Sequence, residues 1–259
     1  MSKVKDIVTF LLNKYPLSLC DDIDKGKVGL QFGSLEQNIT KILIALDGTN
    51  QVIDEAIENN CEMIITHHPF VFNPILNLDY DTGFSKKLLK VFNNKLNMFS
   101  MHTNFDAGND GMNDILSNII GMKNVHTTIN NNYLRIGEID EMSLYEFAEA
   151  LYKTFDKTSV RICGNPNKKI KKVGIIAGGG RSFTHQAINE KIDCFISGEF
   201  HHNNGIQALE EDLCLIELSH YIESNFKSFV YNLLTENFPD IEFIISTNEE
   251  DPFKTISNI

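Results

Sequence analysis

The chain has 259 residues, 42% of them hydrophobic, and a formal charge of -12. That is enough apolar material for an ordered globular protein of one large or two smaller α/β units. The negative charge excludes a general electrostatic attraction to nucleic acid or to an anionic membrane, although a metal centre can still create a locally positive pocket.

The opening stretch MSKVKDIVTFLLNKYP carries Val4, Ile7, Val8, Leu11 and Leu12 at the spacing of one helical face, which predicts an amphipathic docking helix and not a signal peptide. No apolar run approaches the roughly 20 residues of a membrane span. The five cysteines are scattered and form no CxxC pair, as expected of reduced thiols in a cytoplasmic protein.

Residues 39–68 align without a gap on residues 170–199, with Ile39/Ile170, Lys41/Lys172, Ile44/Ile175, Gly48/Gly179, Ala56/Ala187 and Ile65/Ile196 identical. Each copy reads as a β-branched strand, a turn containing glycine, a helix, an acidic residue (Glu62 or Asp193) and a second apolar strand. Two such β-α-β units imply parallel strands flanked by helices. The predicted fold is therefore α/β: two pseudo-repeated lobes with mainly parallel sheets, and a site in the cleft that their strand ends would face. Between the copies lie a helix-like GFSKKLLKVFNNK and the strand-like run Leu96 to Met101. From Asn124 to Gly137 the chain turns polar and rich in asparagine, and the domain boundary is expected there. That makes residues 1–123 the first lobe and 124–259 the second, whose C-terminal part is free to pack back on the first. Ser143 and Glu146 form a capping box at the start of LYEFAEALYKTF. Val160 to Cys163 predicts a strand entering a turn, and the last third adds the strand DLCLIELSH, a helix from about Glu223 to Asn237 and the strand IEFIIS.

Three predicted strands end in histidine. His67 and His68 follow MIIT, His102 follows LNMFSM with Asp106 four residues later, and His220 follows LCLIEL with Glu223 three residues later. Imidazole and carboxylate without thiolate suit zinc, iron, manganese or nickel, singly or in pairs, and argue against a purely structural zinc site. A lone histidine is more often structural than a ligand, but three such strand ends in one chain favour a metal. Thr103, Asn104 and Asn109 can orient the second ligand group or simply close turns. The run IIAGGGRS, residues 175–182, offers a weak phosphate-binding turn, which Arg181 would strengthen if it pointed inward; a tight strand-to-helix turn is the alternative.

The segments ITHHPFVF, MHTNFDAGNDGMND, SVRICGNPNKKIKKVGIIAGGG, DCFISGEFHHN, LSHYIESNF and DPF occur in an order that resembles the YbgI-type family, the GTP cyclohydrolase 1 type 2 homologues (NGG-interacting-factor-3-like). The resemblance spans nearly the whole chain. It implies a two-lobed α/β fold around two divalent metal ions per chain, assembled into a ring-shaped homohexamer. The implied ligands are His67, His68, His102, Asp106, His220 and a carboxylate just after it. The usual family spacing would put that carboxylate at Ser224; here it falls on Glu223. A second departure is DDIDKGKVGLQFG, where an aromatic-Asp-Asn lead is expected, so Asp24 receives no role. The implied reaction is attack of metal-activated water on the guanine ring of GTP. Glu199 and His202 are then candidates for proton transfer or substrate contact, with an exposed helix start as the alternative for residues 200–202. The alternatives to a GTP hydrolase are a metal-binding regulatory or interaction protein without turnover and a metal-dependent phosphoesterase.

Overall fold

The computed structural model describes residues 2–128, 131–155 and 159–254. The chain divides into two compact units, 1–108 with 224–250, and 109–223 with 251–259. In chain order the first unit holds α1 (Val4–Lys14), β1 (Gly29–Phe32), β2 (Lys41–Ala45), α2 (Asn50–Glu58), β3 (Met63–Thr66), α3 (Gly83–Asn93), β4 (Asn97–Ser100) and α4 (Thr103–Ala107). The second holds α5 (Met112–Ile119), β5 (Lys123–Thr128), β6 (Asn131–Ser143), α6 (Leu144–Thr154), β7 (Val160–Cys163), β8 (Lys169–Ile176), α7 (Thr184–Asn189), β9 (Cys194–Ser197), α8 (His202–Glu210) and β10 (Cys214–Leu218). The chain then returns to the first unit with α9 (Asn225–Asn237) and β11 (Glu242–Ile245).

The sheet of the first unit has the order β1-β4-β3-β2-β11. Its four strands from β4 to β11 are parallel, and β1 closes the edge antiparallel to β4. Every residue of β3 and β4 is buried, as a parallel strand covered on both faces requires. One apolar layer joins Leu43, Ile64 and Met98 of the sheet to Val52, Ile53 and Ala56 of α2 and Leu88 and Val91 of α3. Each Leu, Ile, Val or Met side chain among them contributes about 1.5–3 kcal/mol on leaving water. Val4, Ile7, Val8 and Leu11 form the buried stripe of α1, at the predicted spacing.

The sheet of the second unit has the order β5-β6-β8-β9-β10-β7. It is mixed, not mainly parallel: β8, β9 and β10 run parallel, whereas β5/β6, β6/β8 and β10/β7 are antiparallel pairs. The polar stretch expected to mark the domain boundary is therefore paired structure. Outside residues 129–130, which lie outside the described residues, it forms β5 and the start of β6, and it reads as polar because β5 is an edge strand with no buried position. The change of unit falls earlier, after Gly108, so that α5 joins the second unit.

Both copies of the repeat fold as predicted, β2-α2-β3 and β8-α7-β9, and the likeness extends to single hydrogen bonds. The carboxylate of Glu62 accepts from the backbone N–H of Thr40 (3.1 Å) and Lys41 (2.8 Å). That of Asp193 accepts from Lys171 (2.9 Å) and Lys172 (2.8 Å). In each copy the acid accepts from the two consecutive backbone N–H groups that come just before the first residue paired with its own strand, Ile42 with Met63 and Val173 with Cys194. Asn60 and Lys191 end the two helices in the left-handed conformation, at φ 57° and 53°.

Candidate metal centre

Strand alternation would send His67 and His68 to opposite faces. The alternation stops at Thr66, whose hydroxyl donates to the carbonyl of His68 (2.7 Å), while the His68 N–H donates to Leu46 (3.0 Å). This bend, followed by Pro69, sets the two rings side by side with centroids 5.0 Å apart. His102 leaves the adjacent strand β4 and caps α4, and its ring lies 5.3 Å from that of His67 and 5.6 Å from that of His68. One ring nitrogen from each of the three lies within 4.8 Å of the others, close enough to share an ion.

The orientation of each ring is set by an acceptor at Nδ1. His67 Nδ1 donates to the carbonyl of Met101 (2.8 Å), His68 Nδ1 to Asp47 Oδ1 (2.8 Å) and His102 Nδ1 to Asp24 Oδ2 (2.6 Å). A carbonyl or carboxylate oxygen can only accept, so Nδ1 is the donor nitrogen of each ring and Nε2 is the atom left for a cation. Metal-binding histidines are held in this manner. Asp106 stands one helical turn after His102, its N–H donating to the His102 carbonyl (3.1 Å), and its Oδ1 is 3.6 Å from His67 Nε2. Two donors each about 2.1 Å from one tetrahedral ion would be about 3.4 Å apart. The donor set and its spacing therefore fit a divalent cation. His67 is fully buried, against Phe226 (5.3 Å) and Phe105 (6.1 Å).

Asp24, given no role from the sequence, is fully buried and also accepts from the Thr103 hydroxyl (2.6 Å) and N–H (3.3 Å). Burial alone would raise its carboxyl; the hydrogen bonds from His102 and Thr103 outweigh that and hold it below the ordinary 3.8. Asn104 is tied to the His102 N–H (3.1 Å) and the Tyr15 carbonyl (2.7 Å), so it braces the same turn. Asn109 is exposed and lies in the other unit. Asp47 follows β2, the strand beside β3. Its backbone N–H and that of Leu46 donate to Glu249 (2.7 and 3.0 Å), which is paired with Lys227 (3.2 Å). The polar end of the β2 strand could have been read from the sequence by the same rule that found His67; Asp24 and Glu249, far from their partners along the chain, carried no such signal.

Residues 220–224, where the chain leaves the second unit, form a 3₁₀ turn. Such a turn has three residues per revolution, so positions three apart eclipse. The Glu223 carboxylate accordingly stands beside the His220 ring: its Oε2 is 3.0 Å from His220 Nε2. On the opposite side, His220 Nδ1 is 2.8 Å from Glu199 Oε1. Glu199 thus stands to His220 as Asp47 stands to His68, a position that orients the ring. His202 is elsewhere: exposed at the start of α8, it lines a cleft of about 220 Å³ with Arg161, Cys163 and Phe200, and neither Glu199 nor His220 is among its walls. The 175–182 turn is closed by its own bonds. Gly180 N–H donates to Ser197 Oγ (2.7 Å), Ser197 Oγ donates to the Gly178 carbonyl (2.9 Å), and Arg181 is exposed. A β-carbon on Gly178, at φ 58°, would stand 2.6 Å from Glu223 Oε1, so this glycine leaves the space that Glu223 fills.

Known proteins similar to this chain share one family. The family description Duf34/NIF3 (NGG1p interacting factor 3) matches residues 2–252. A Clostridium acetobutylicum protein named GTP cyclohydrolase 1 type 2 homolog is 34% identical, the match covering 97% of this chain and 98% of that one. Its namesake in Clostridium perfringens is 31% identical over 98% of this chain and 100% of its own length. Among solved structures, the Staphylococcus aureus hypothetical protein SA1388 superposes with a TM-score of 0.90 at 29% identity, over 98% of this chain and 99% of that one. The chain belongs to the Duf34/NIF3 (NGG1p interacting factor 3) family.

Proposed function

We propose that the protein is a metal-dependent hydrolase acting on a small phosphate-bearing molecule, with GTP the first substrate to test. The observation that carries the reading is the set of three histidines whose Nδ1 atoms are all engaged by oxygen acceptors while one ring nitrogen of each comes within 4.8 Å of the others. The proposed ligands are His67, His68, His102 and Asp106, joined by His220 and Glu223 as the family resemblance implies, for two divalent ions per chain.

Bound divalent ions would supply Lewis acidity and lower the pKa of a coordinated water toward neutrality. The chain's own residues do the rest. Met101, Asp47 and Asp24 keep the proton on Nδ1 of their histidines, and Glu199 orients His220 in the same way. Phe105 and Phe226 keep water from the back of His67. Within this reading Glu199 is a positioning residue, and His202 has no part in the reaction. Assembly into a homo-oligomer, a hexamer by resemblance, belongs to the same proposal, as does a cytoplasmic location. Among the described residues no helix is long and apolar enough to cross a membrane.

The test is elemental analysis of protein purified without chelator or affinity-tag metal, beside a His68→Ala/Asp106→Ala variant, followed by assays of formate and phosphate release from GTP. About two ions per parent chain, near none in the variant, and metal-dependent formate release support the proposal. Phosphate release without formate would make the protein a phosphoesterase. Bound metal without turnover on either assay would leave a metal-binding regulatory or interaction protein. A parent that neither holds nor takes up metal refutes the reading.

A further inference from the structure

Beside the histidine cluster, within the first unit, is a cavity of about 440 Å³ that none of the proposed ligands lines. Its size is that of a small-molecule site, which typically spans about 300–1,000 Å³. Leu30 and Phe32 of β1 and Val71 and Phe72 of the loop after the paired histidines form its apolar walls, and Lys25 and Lys27 bring two ammonium groups. The walls are joined by a reciprocal pair of hydrogen bonds: Gln31 Nε2 donates to the Val71 carbonyl (3.0 Å), and the Val71 N–H donates to Gln31 Oε1 (3.2 Å). The loop carrying Phe72 is thereby fixed to the sheet edge in one register.

Two links tie this cavity to the cluster. The ring of Phe72 stands edge-on to that of His102, 6.2 Å between centroids. The carbonyl of Lys27 accepts from Ser100 Oγ (3.2 Å), two residues before His102. The two lysines differ in surroundings. Lys25 is paired with Asp22 at the surface (2.7 Å). Lys27 makes no ion pair among the described residues, and its ammonium rests 3.9 Å from the centre of the Phe72 ring. An ammonium held by an aromatic face has an attraction of only about 0.5–1 kcal/mol to give up at such a half-exposed place, less than a charge-assisted hydrogen bond to an anion returns.

We propose that this cavity is the substrate subsite, that it takes a nucleoside phosphate, and that Lys27 meets the anionic group while Phe72, Phe32 and Val71 pack against the ring portion. The proposal rests on the hydrolase reading for its relevance to turnover, but the binding itself does not require metal. The experiment is calorimetric titration of GTP, guanosine and inorganic triphosphate into chelator-treated full-length protein, for the parent and for Lys27→Ala, Lys27→Arg and Phe72→Ala. Phe72 is 44% exposed and Lys27 is half-buried, so these changes spare the core; melting curves check this.

GTP is expected to bind the metal-free parent. Lys27→Ala is expected to weaken GTP about tenfold or more, the loss of one charge-assisted contact. Lys27→Arg restores most of that affinity, Phe72→Ala weakens GTP and guanosine alike, and guanosine is indifferent to Lys27. A metal-free parent that does not bind GTP, or equal GTP affinity in the parent, Lys27→Ala and Phe72→Ala, overturns the subsite. The hydrolase reading fails separately: Lys27-dependent GTP binding with no turnover in the metal-loaded parent keeps the subsite and rejects the activity. Turnover with an unchanged KM in both alanine variants does the reverse.

Discussion

Replacing Asp24 by alanine is the most informative single change, because this carboxylate is not among the proposed ligands and yet sets the direction of one of them. Its Oδ2 accepts from His102 Nδ1 (2.6 Å), Thr103 Oγ1 (2.6 Å) and Thr103 N (3.3 Å). Alanine leaves the His102 N–H and the Thr103 donors without that acceptor at a fully buried position. A buried donor left without its acceptor costs about 1–3 kcal/mol, and with several such donors the loss is a large part of the roughly 5–15 kcal/mol that holds a domain folded. Separately, His102 loses the acceptor that pins its tautomer, which lowers metal affinity about 10–100-fold. Asparagine separates the two effects. Its amide oxygen can replace Oδ2 toward His102, but its NH₂ group would occupy the place of Oδ1, which has no hydrogen-bond partner among the described residues. Such a buried unsatisfied donor costs about 1–3 kcal/mol. Asp24→Asn is therefore expected to lose stability while retaining more metal affinity than Asp24→Ala. The assay is titration of zinc or cobalt into chelator-treated protein, with urea unfolding of the same samples. Parent-like metal affinity in Asp24→Ala would refute the orienting role, and parent-like unfolding would refute the burial argument.

Further changes probe other parts of the structure. Gly178→Ala places a β-carbon 2.6 Å from Glu223 Oε1 in a left-handed conformation; it should destabilise the fold by about 1–2 kcal/mol and lower bound metal, and an unchanged metal content would remove Glu223 from the ligand set. Phe105→Ala, at a fully buried ring packed against Tyr15 (4.8 Å) and Phe226 (5.1 Å), should cost about 3–5 kcal/mol in urea unfolding. For Glu55, burial raises the carboxyl but hydrogen bonds from Ser246 and Thr247 outweigh it and hold it below its ordinary 4.5. Its contribution to stability is present above the unfolded value and is lost as pH falls through the lower folded one. The parent should therefore lose stability more steeply than Glu55→Gln below about pH 4.5; parallel curves would contradict this. Burial pushes the Cys61 thiol up to about 12 and the buried Cys194 and Cys214 upward as well. At pH 8 a thiol reagent should reach at most the half-buried Cys20 and Cys163 in native protein and all five cysteines after denaturation.

Periodicity along the chain was sufficient for the elements and the repeat. A stripe such as Val4, Ile7, Val8 and Leu11 can bury only one face of a helix, and fully apolar runs such as Ile42 to Ala45 can be satisfied only inside a sheet covered on both sides. The histidines at the strand ends were legible for the same reason, since a polar pair that interrupts a buried strand must lie at its end. The mixed second sheet was not legible, because the alternation of an edge strand such as β5 looks the same as a polar loop when its partner is unknown.

Tertiary structure alone decided how the proposed ligands are held. Asp24 reaches His102 and Glu249 reaches the Leu46–Asp47 turn across distant parts of the chain, and no local pattern marks a carboxylate whose function depends on a donor it meets only after folding. The spacing of His220 and Glu223 was visible in the sequence, but whether a three-residue offset brings them together depends on the local helix type, and it is the 3₁₀ turn at residues 220–224 that does so. The sequence by itself thus determined which residues could be ligands and on which strand ends they stand. Folding determined which oxygen holds each ring nitrogen, because that depends on distances between elements that covalent order does not constrain.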